Sequence, residues 1–176
     1  MEPNHVIEYR RIGHGELTPD LRTTLIDVHT DAFGPEMNDP FHQKFPWFVD
    51  HWSALPGFIC VTGYDEGTAI GFAYGAPSTP GREWWREHWN PDDGADTSTF
   101  SVSELMVLPG WRKTGQGLAL HEQLLAGRPE ALAVLLVDTT HPKVMDLYGS
   151  WGYRQVGKQR PFADSPLYAV MVKRLR

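Results

Sequence analysis

The segment Met106-Val107-Leu108-Pro109-Gly110-Trp111-Arg112-Lys113-Thr114-Gly115-Gln116-Gly117 gathers residue types that hold an anion. An apolar run stops at Pro109, and Gly115 and Gly117 stand where a helix should begin. The first turn of a helix has backbone N–H groups without intrahelical partners, at the positive end of the helix dipole. An anion is stabilised there. Glycine lets a phosphate approach the backbone closely, and Arg112 and Lys113 add charge nearby. The chemistry this spacing predicts is a pyrophosphate cradle. A glycine turn that only joins a strand to a helix is the alternative. The run matches neither GxGxxG nor GxxxxGKS/T, so it is not a nucleotide motif of those types.

The other reactive side chains offer less. The histidines show no HxxxH or HExxH spacing, and the single cysteine makes no zinc set, so no metal is expected. Cys60 lies in an apolar strand and reads as a core residue. His121 falls inside the apolar stripe of its helix and reads as a partly buried histidine. His51 and His88 sit beside tryptophans and receive no role.

Elements that position the cradle follow from periodicity. Val6 to Ile12 reads as an opening strand. Thr18-Pro19 supplies an N-cap and a first-turn proline. Leu21, Leu25, Val28 and Ala32 follow at helical spacing. Phe41, Phe45, Phe48, Trp52 and Leu55 repeat it, with Pro46 kinking or starting that second helix. Phe58 to Gly63 and Ala69 to Gly75 read as a strand pair around Asp65-Glu66-Gly67. Ala76 to Ser98 is rich in Pro, Gly and Asp, a composition usual for functional or mobile insertions.

Thr99 to Leu108 is a further strand. A helix beginning near Gly115 turns Leu118, Leu120, His121, Leu124 and Leu125 inward, and Gly127 with Pro129 ends it. Ala131 to Val137 is nearly unbroken apolar sequence, as in a strand buried on both faces. Val144, Leu147, Tyr148 and Trp151 line one side of a last helix, stopped at Gly152. Tyr153 to Gly157 and Leu167 to Val172 are the final strands. This order predicts an α/β chain, a mixed sheet with helices on both faces.

The 176 residues suit one domain, taken as 4–176, and the 41% apolar content suits a packed core. A net charge of −6 disfavours nucleic acid as a partner. No apolar stretch approaches the ~18 residues that span a bilayer. The N-terminus does not look like a signal peptide, and one cysteine allows no internal disulfide. The expectation is a soluble cytoplasmic protein without membrane or nucleic-acid partners.

The run Val-x-Pro-x-x-Arg-x-x-Gly-x-Gly, with a strand before it and a helix after, resembles the acetyl-CoA signature of the GNAT (GCN5-related N-acetyltransferase) superfamily. About 30 residues on, roughly one βαβ unit, Leu147-Tyr148-Gly149-Ser150-Trp151-Gly152-Tyr153 resembles that family's Leu-Tyr-x-x-x-Gly-Phe segment. The element order fits over nearly the whole chain. The resemblance implies a mostly antiparallel sheet of about seven strands flanked by about four helices. It implies acetyl-CoA as acyl donor and a primary amine as acceptor, with no metal. The backbone of Leu105, Met106 and Val107 would pair with the pantetheine arm. Arg112, Lys113, Thr114, Gly115, Gln116 and Gly117 would hold the pyrophosphate.

Tyr148 would direct its hydroxyl at the departing sulfur as general acid; core packing is the alternative for an aromatic at that spacing. Glu104 is the candidate base, since burial would raise its carboxyl. Ordering the loop, or pairing with Arg112, is its alternative, and a water relay can replace a base. The family often carries Asn seven positions before the motif tyrosine. This chain has His141 there, as a substitute cofactor donor or simply the start of the helix.

The acceptor would enter between Phe33 to Leu55 and Ala76 to Ser98. Phe33, Trp84 and Trp85 are the candidate walls, with Asp92, Asp93 and Asp96 close in sequence. Capping the sheet, or a homodimer contact, is the alternative for the tryptophans. A small-molecule amine is the expected acceptor. A peptide or protein amine, or a non-catalytic acetyl-CoA-binding module, are the other readings.

Overall fold

Thr18 begins the first helix because its hydroxyl accepts the Leu21 N–H at 3.1 Å while Pro19 fixes the first turn. The computed structural model describes residues 4–176. In chain order the elements are β1 (Ile7–Gly13), α1 (Pro19–Phe33), α2 (Phe45–Ser53), β2 (Ile59–Asp65), β3 (Thr68–Pro77), β4 (Thr99–Val107), α3 (Gln116–Leu125), β5 (Leu132–Asp138), α4 (Pro142–Ser150), β6 (Arg154–Gln159) and β7 (Tyr168–Arg174). Pro46 starts α2 rather than kinking it, and the residues before it form only short 3-10 turns.

The seven strands run in the order β1-β2-β3-β4-β5-β7-β6. The β4–β5 ladder is parallel, while β1–β2, β2–β3, β5–β7 and β6–β7 are antiparallel. This is the mixed, mostly antiparallel sheet with four helices that the resemblance implied. The chain packs as two compact units. One comprises residues up to Ala76 with Glu104–Gly127; the other is Pro77–Ser103 with Arg128–Arg176.

In the first unit, Phe72 and Tyr74 of β3 and Cys60 of β2 join Leu25 and Val28 of α1 and Phe45 and Val49 of α2 in one core. The opposite sheet face receives Leu120 of α3 over Gly63 and Gly71. Gly71 has a steric reason. A Cβ there would stand 2.5 Å from the Met106 carbonyl oxygen, so only glycine lets β3 lie this close to the end of β4.

The second unit is built on β5 and β7. Leu132, Val134, Val170 and Val172 pack around Trp85, which is 1% exposed. The Trp85 indole N–H donates to Thr99 Oγ1 at 3.0 Å, so its polar atom is satisfied inside the core. Burial of an indole removes roughly 200 Å² from water, on the order of 5 kcal/mol at about 25 cal/mol per Å².

One expectation about a helix face is corrected. Leu118 of α3 is 37% exposed, while Leu120, His121 and Leu124 carry that helix's burial. In α4, Val144 is 39% and Leu147 48% exposed, and no residue of the helix is buried. Periodicity marks an apolar side; whether anything covers it depends on distant segments.

Candidate functional site

The segment from Val107 to Gln116 turns sharply. Pro109–Trp111 makes a 3-10 turn, closed by the Trp111 N–H on the Leu108 carbonyl at 2.9 Å. Lys113 has φ 62° and Gly115 φ 87°, two left-handed residues within three. Such a conformation is ordinary for glycine and strained for lysine. Strain of this kind persists where the surrounding structure enforces it, and it collects at ligand sites. Gly115 is the N-cap of α3, and no side chain caps the helix. Its carbonyl accepts the Ala119 N–H at 3.1 Å, so the earlier amides of the first turn lie outside the helical ladder. This is an exposed helix N-terminus fit to receive a phosphate.

The side chains of the cradle divide by task. An Arg112 guanidinium nitrogen donates to the Ala32 carbonyl in the last turn of α1, at 2.7 Å. Thr114 turns its hydroxyl back to the Trp111 carbonyl. Gln116 accepts the Tyr9 hydroxyl at 2.6 Å. These three bonds shape the loop. Lys113 is exposed and has no hydrogen bond or ion pair among the described residues. The first-turn amides, Gly117 and the Lys113 ammonium are left without such bonds among the described residues.

Before the turn, Met106 is buried in the first unit's core, and Leu105 and Val107 are half-buried. The parallel ladder of β4 with β5 runs only from Thr99–Leu132 to Ser101–Val134, although β4 continues to Val107. Glu104 keeps some accessible surface, yet desolvation pushes its carboxyl up to about 8. It has no ion pair with Arg112, whose guanidinium is on Ala32.

Tyr148 lies in the second unit, on α4, half-buried. Its ring meets Trp151 edge-on at 5.1 Å and Tyr153 edge-on at 5.7 Å. Burial, with the nearby Tyr148 as a lesser cause, raises the Tyr153 phenol above its ordinary range. His141 is exposed and serves as the backbone N-cap of α4, its side chain making no cap bond. Its Nε2 is 3.8 Å from Asp138 Oδ2. It stands at the start of the helix, a place compatible with both of its readings.

The acceptor walls need correction. Trp85 is a core residue of the second unit and cannot face a ligand without leaving that core. Trp84 is half-buried against the same cluster. Their segment is tied to its own unit by Asp96, which pairs with Arg176 at 2.9 Å. Trp85 thus packs on the sheet, the alternative reading, while the half-buried Trp84 keeps both of its readings. Phe33 is half-buried at the end of α1 in the first unit, its ring 4.2 Å from that of His42 and 4.5 Å from that of His29.

His29 escaped the sequence reading. It is 4% exposed and stacks on Phe45 at 3.9 Å. Burial, then the charge of His42, push its imidazole down to about 4, so it is neutral at pH 7. Its position between Val28 and Ala32 on the apolar stripe was the available signal. Cys60 is buried, and burial pushes its thiol up to about 12, the state of an inert core cysteine. His121 is buried on α3. Among the described residues no group of three or more His, Cys, Asp or Glu is gathered for a metal.

No model of a known family matches the sequence. The chain is 32% identical over 111 residues to a GCN5-like protein acetyltransferase of Mycobacterium tuberculosis, a match covering 55% of this chain and 53% of that protein. The match thus spans about half the length of that curated relative. Among solved structures, aminoglycoside 6'-acetyltransferase type Ii superposes with a TM-score of 0.66 at 20% identity, covering 96% of this chain and 97% of that one. The PaiA N-acetyltransferase of Thermoplasma acidophilum, solved in complex with coenzyme A, superposes with a TM-score of 0.61 at 13% identity, over 96% and 99% of the two chains. At these identities the two structures speak for the fold.

Proposed function

We propose that this chain, a member of the GNAT superfamily by its fold and by its likeness to a mycobacterial acetyltransferase, moves an acetyl group from acetyl-CoA to a primary amine of a small molecule. The observation that carries the reading is the uncapped N-terminus of α3, entered through left-handed Lys113 and Gly115 directly after β4. That geometry suits a pyrophosphate. Acetyl-CoA, when bound, supplies a thioester whose carbonyl carbon an amine can attack with departure of the thiolate.

The chain's own groups have distinct tasks in this reading. The amides of Gln116 and Gly117 and the Lys113 ammonium hold the pyrophosphate. The backbone of Leu105 to Val107, beyond the recorded β4–β5 ladder, is the edge for the pantetheine amides. Glu104 accepts the proton that the acceptor ammonium must lose, and a carboxyl near 8 is well matched to that proton near neutral pH. Tyr148 donates its phenolic proton to the leaving sulfur. Phe33 borders the acceptor. Arg112, Thr114 and Gln116 act by shaping the loop.

The name of the mycobacterial relative favours a second reading, a protein or peptide amine as acceptor. No helix among the described residues is long and apolar enough to cross a membrane. The reading takes the reaction as cytoplasmic, a reducing compartment that a buried free thiol suits. Thiol release from acetyl-CoA tests the proposal, with small primary amines in one arm and lysine-containing peptides in the other. Release with small amines supports it. Release with peptides alone moves the acceptor to the second reading. No release in either arm, with acetyl-CoA bound, indicates a binding module.

A further inference from the structure

Where β6 begins and β7 ends, the second unit carries a cleft of about 370 Å³. The indoles of Trp89 and Trp151 wall it, Val172 lines it, and Arg154, Lys173 and Arg174 charge it. No carboxylate is among its lining residues, in a chain whose net charge is −6. Elsewhere Arg22, Arg86, Arg128 and Arg176 are each held by an acid: Asp50, Glu83, Glu130 and Asp96. Among the described residues Arg154 and Arg174 have neither a carboxylate nor a hydrogen-bond acceptor. Two arginines thus line one concavity without an acid partner.

The supporting contacts set the shape of what would fit. Arg154 lies over the Trp89 ring, 4.7 Å from its centroid. A guanidinium over an indole face gains cation–π attraction and can still donate its N–H groups to an acceptor. A planar fork of donors takes carboxylate or phosphate through two parallel bonds. Lys173 Nζ donates to the Trp151 backbone carbonyl at 2.6 Å, so its ammonium is already held. Indoles offer flat apolar faces for a ring. The volume is within the range of small-ligand sites, roughly 300–1,000 Å³.

We propose that this cleft binds a flat aromatic anion, its ring against the indoles and its carboxylate or phosphate on Arg154 and Arg174. The site is separate from the acetyl-transfer reading and does not depend on it.

The test titrates the full chain with 2-naphthoate and with phenyl phosphate, by calorimetry and by the indole N–H signals, with and without saturating CoA. Inorganic phosphate and naphthylmethylamine are the comparison probes. The expected result is saturable binding of at least one aromatic anion, unaltered by CoA and weaker by about ten-fold in Arg154→Gln and in Arg174→Gln. Both arginines are exposed, so the variants should fold. Binding of naphthoate alone assigns a carboxylate, and of phenyl phosphate alone a phosphate. Equal affinity for inorganic phosphate or for the amine overturns the proposal. So does absence of saturable binding, full competition by CoA, or unchanged affinity in both variants. No readout requires turnover, so failure here is distinguishable from failure of the acetyltransferase reading.

Discussion

The Arg112 guanidinium rests on the carbonyl oxygen of Ala32, 2.7 Å away, at the C-terminal end of α1. A cation there meets the negative end of the helix dipole. Arg112 thus ties its loop to α1, and in the proposed reading the neighbouring Lys113 faces the anion. Arg112→Met should lower stability by about 1 kcal/mol and weaken acetyl-CoA only as far as the loop loosens. Lys113→Met should leave the thermal midpoint unchanged and weaken acetyl-CoA several-fold. Melting curves and calorimetric titration of the two variants check this, and an exchange of the two phenotypes would contradict it.

Tyr148→Phe keeps a ring that packs edge-on against Trp151 and Tyr153. The variant should fold with only a modest stability change. Loss of a general acid typically costs about 10²–10⁴-fold, and because a thiolate leaves readily the expected loss in kcat is roughly 10–100-fold. Affinity for acetyl-CoA should change little, since the hydroxyl acts as charge develops on sulfur. A folded variant with full kcat would make Tyr148 a packing residue.

Glu104 predicts a pH dependence. With its carboxyl near 8, it is protonated at pH 6 and becomes a base as pH rises. With an acceptor amine that titrates well away from this value, kcat/KM should climb one-proton-wise to a plateau above about 8. Glu104→Gln should remove that limb. Its stability effect has the opposite direction. The folded state holds a proton that the unfolded chain releases near 4.5, so this group's contribution is full below that pH and is lost as pH rises through about 8. Urea midpoints of the wild type relative to Glu104→Gln should fall across that window. Coincident rate profiles would return the proton to a water relay.

The order of strands and helices was readable because local signals agreed: Thr18-Pro19, Pro46, the left-handed Glu66-Gly67 turn and the apolar run of β5. The strands came out within about two residues of their reading. The turn from β4 into α3 was readable for the same reason, since its glycines and its place after a strand are local. Trp84 and Trp85 were not. Their setting among Pro, Gly and Asp looks like an open loop, and what buries Trp85 is Thr99, Leu132 and Val170, remote in sequence. The bond from Arg112 to Ala32 was equally hidden, because nothing near Arg112 in sequence announces it. The charged cleft draws on Trp89, Arg154 and Arg174 from three separate segments, and no spacing rule reports such a meeting.

The central claim is that the N-terminus of α3 holds the cofactor's pyrophosphate, and Gly117→Asp tests it most directly. Aspartate in the first turn of a helix complements the dipole, so the variant should fold at least as well as the wild type. It should nevertheless place bulk and negative charge where the phosphates would lie. The wild type should bind acetyl-CoA with saturable one-site heat and a raised thermal midpoint, about 2.7 kcal/mol of added stability at a hundred times Kd. Gly117→Asp, with an unchanged or higher midpoint when unliganded, should lose at least ten-fold in affinity. A wild-type protein giving neither heat nor a shifted midpoint at saturating acetyl-CoA would contradict the account, as would a variant that binds as tightly as the wild type.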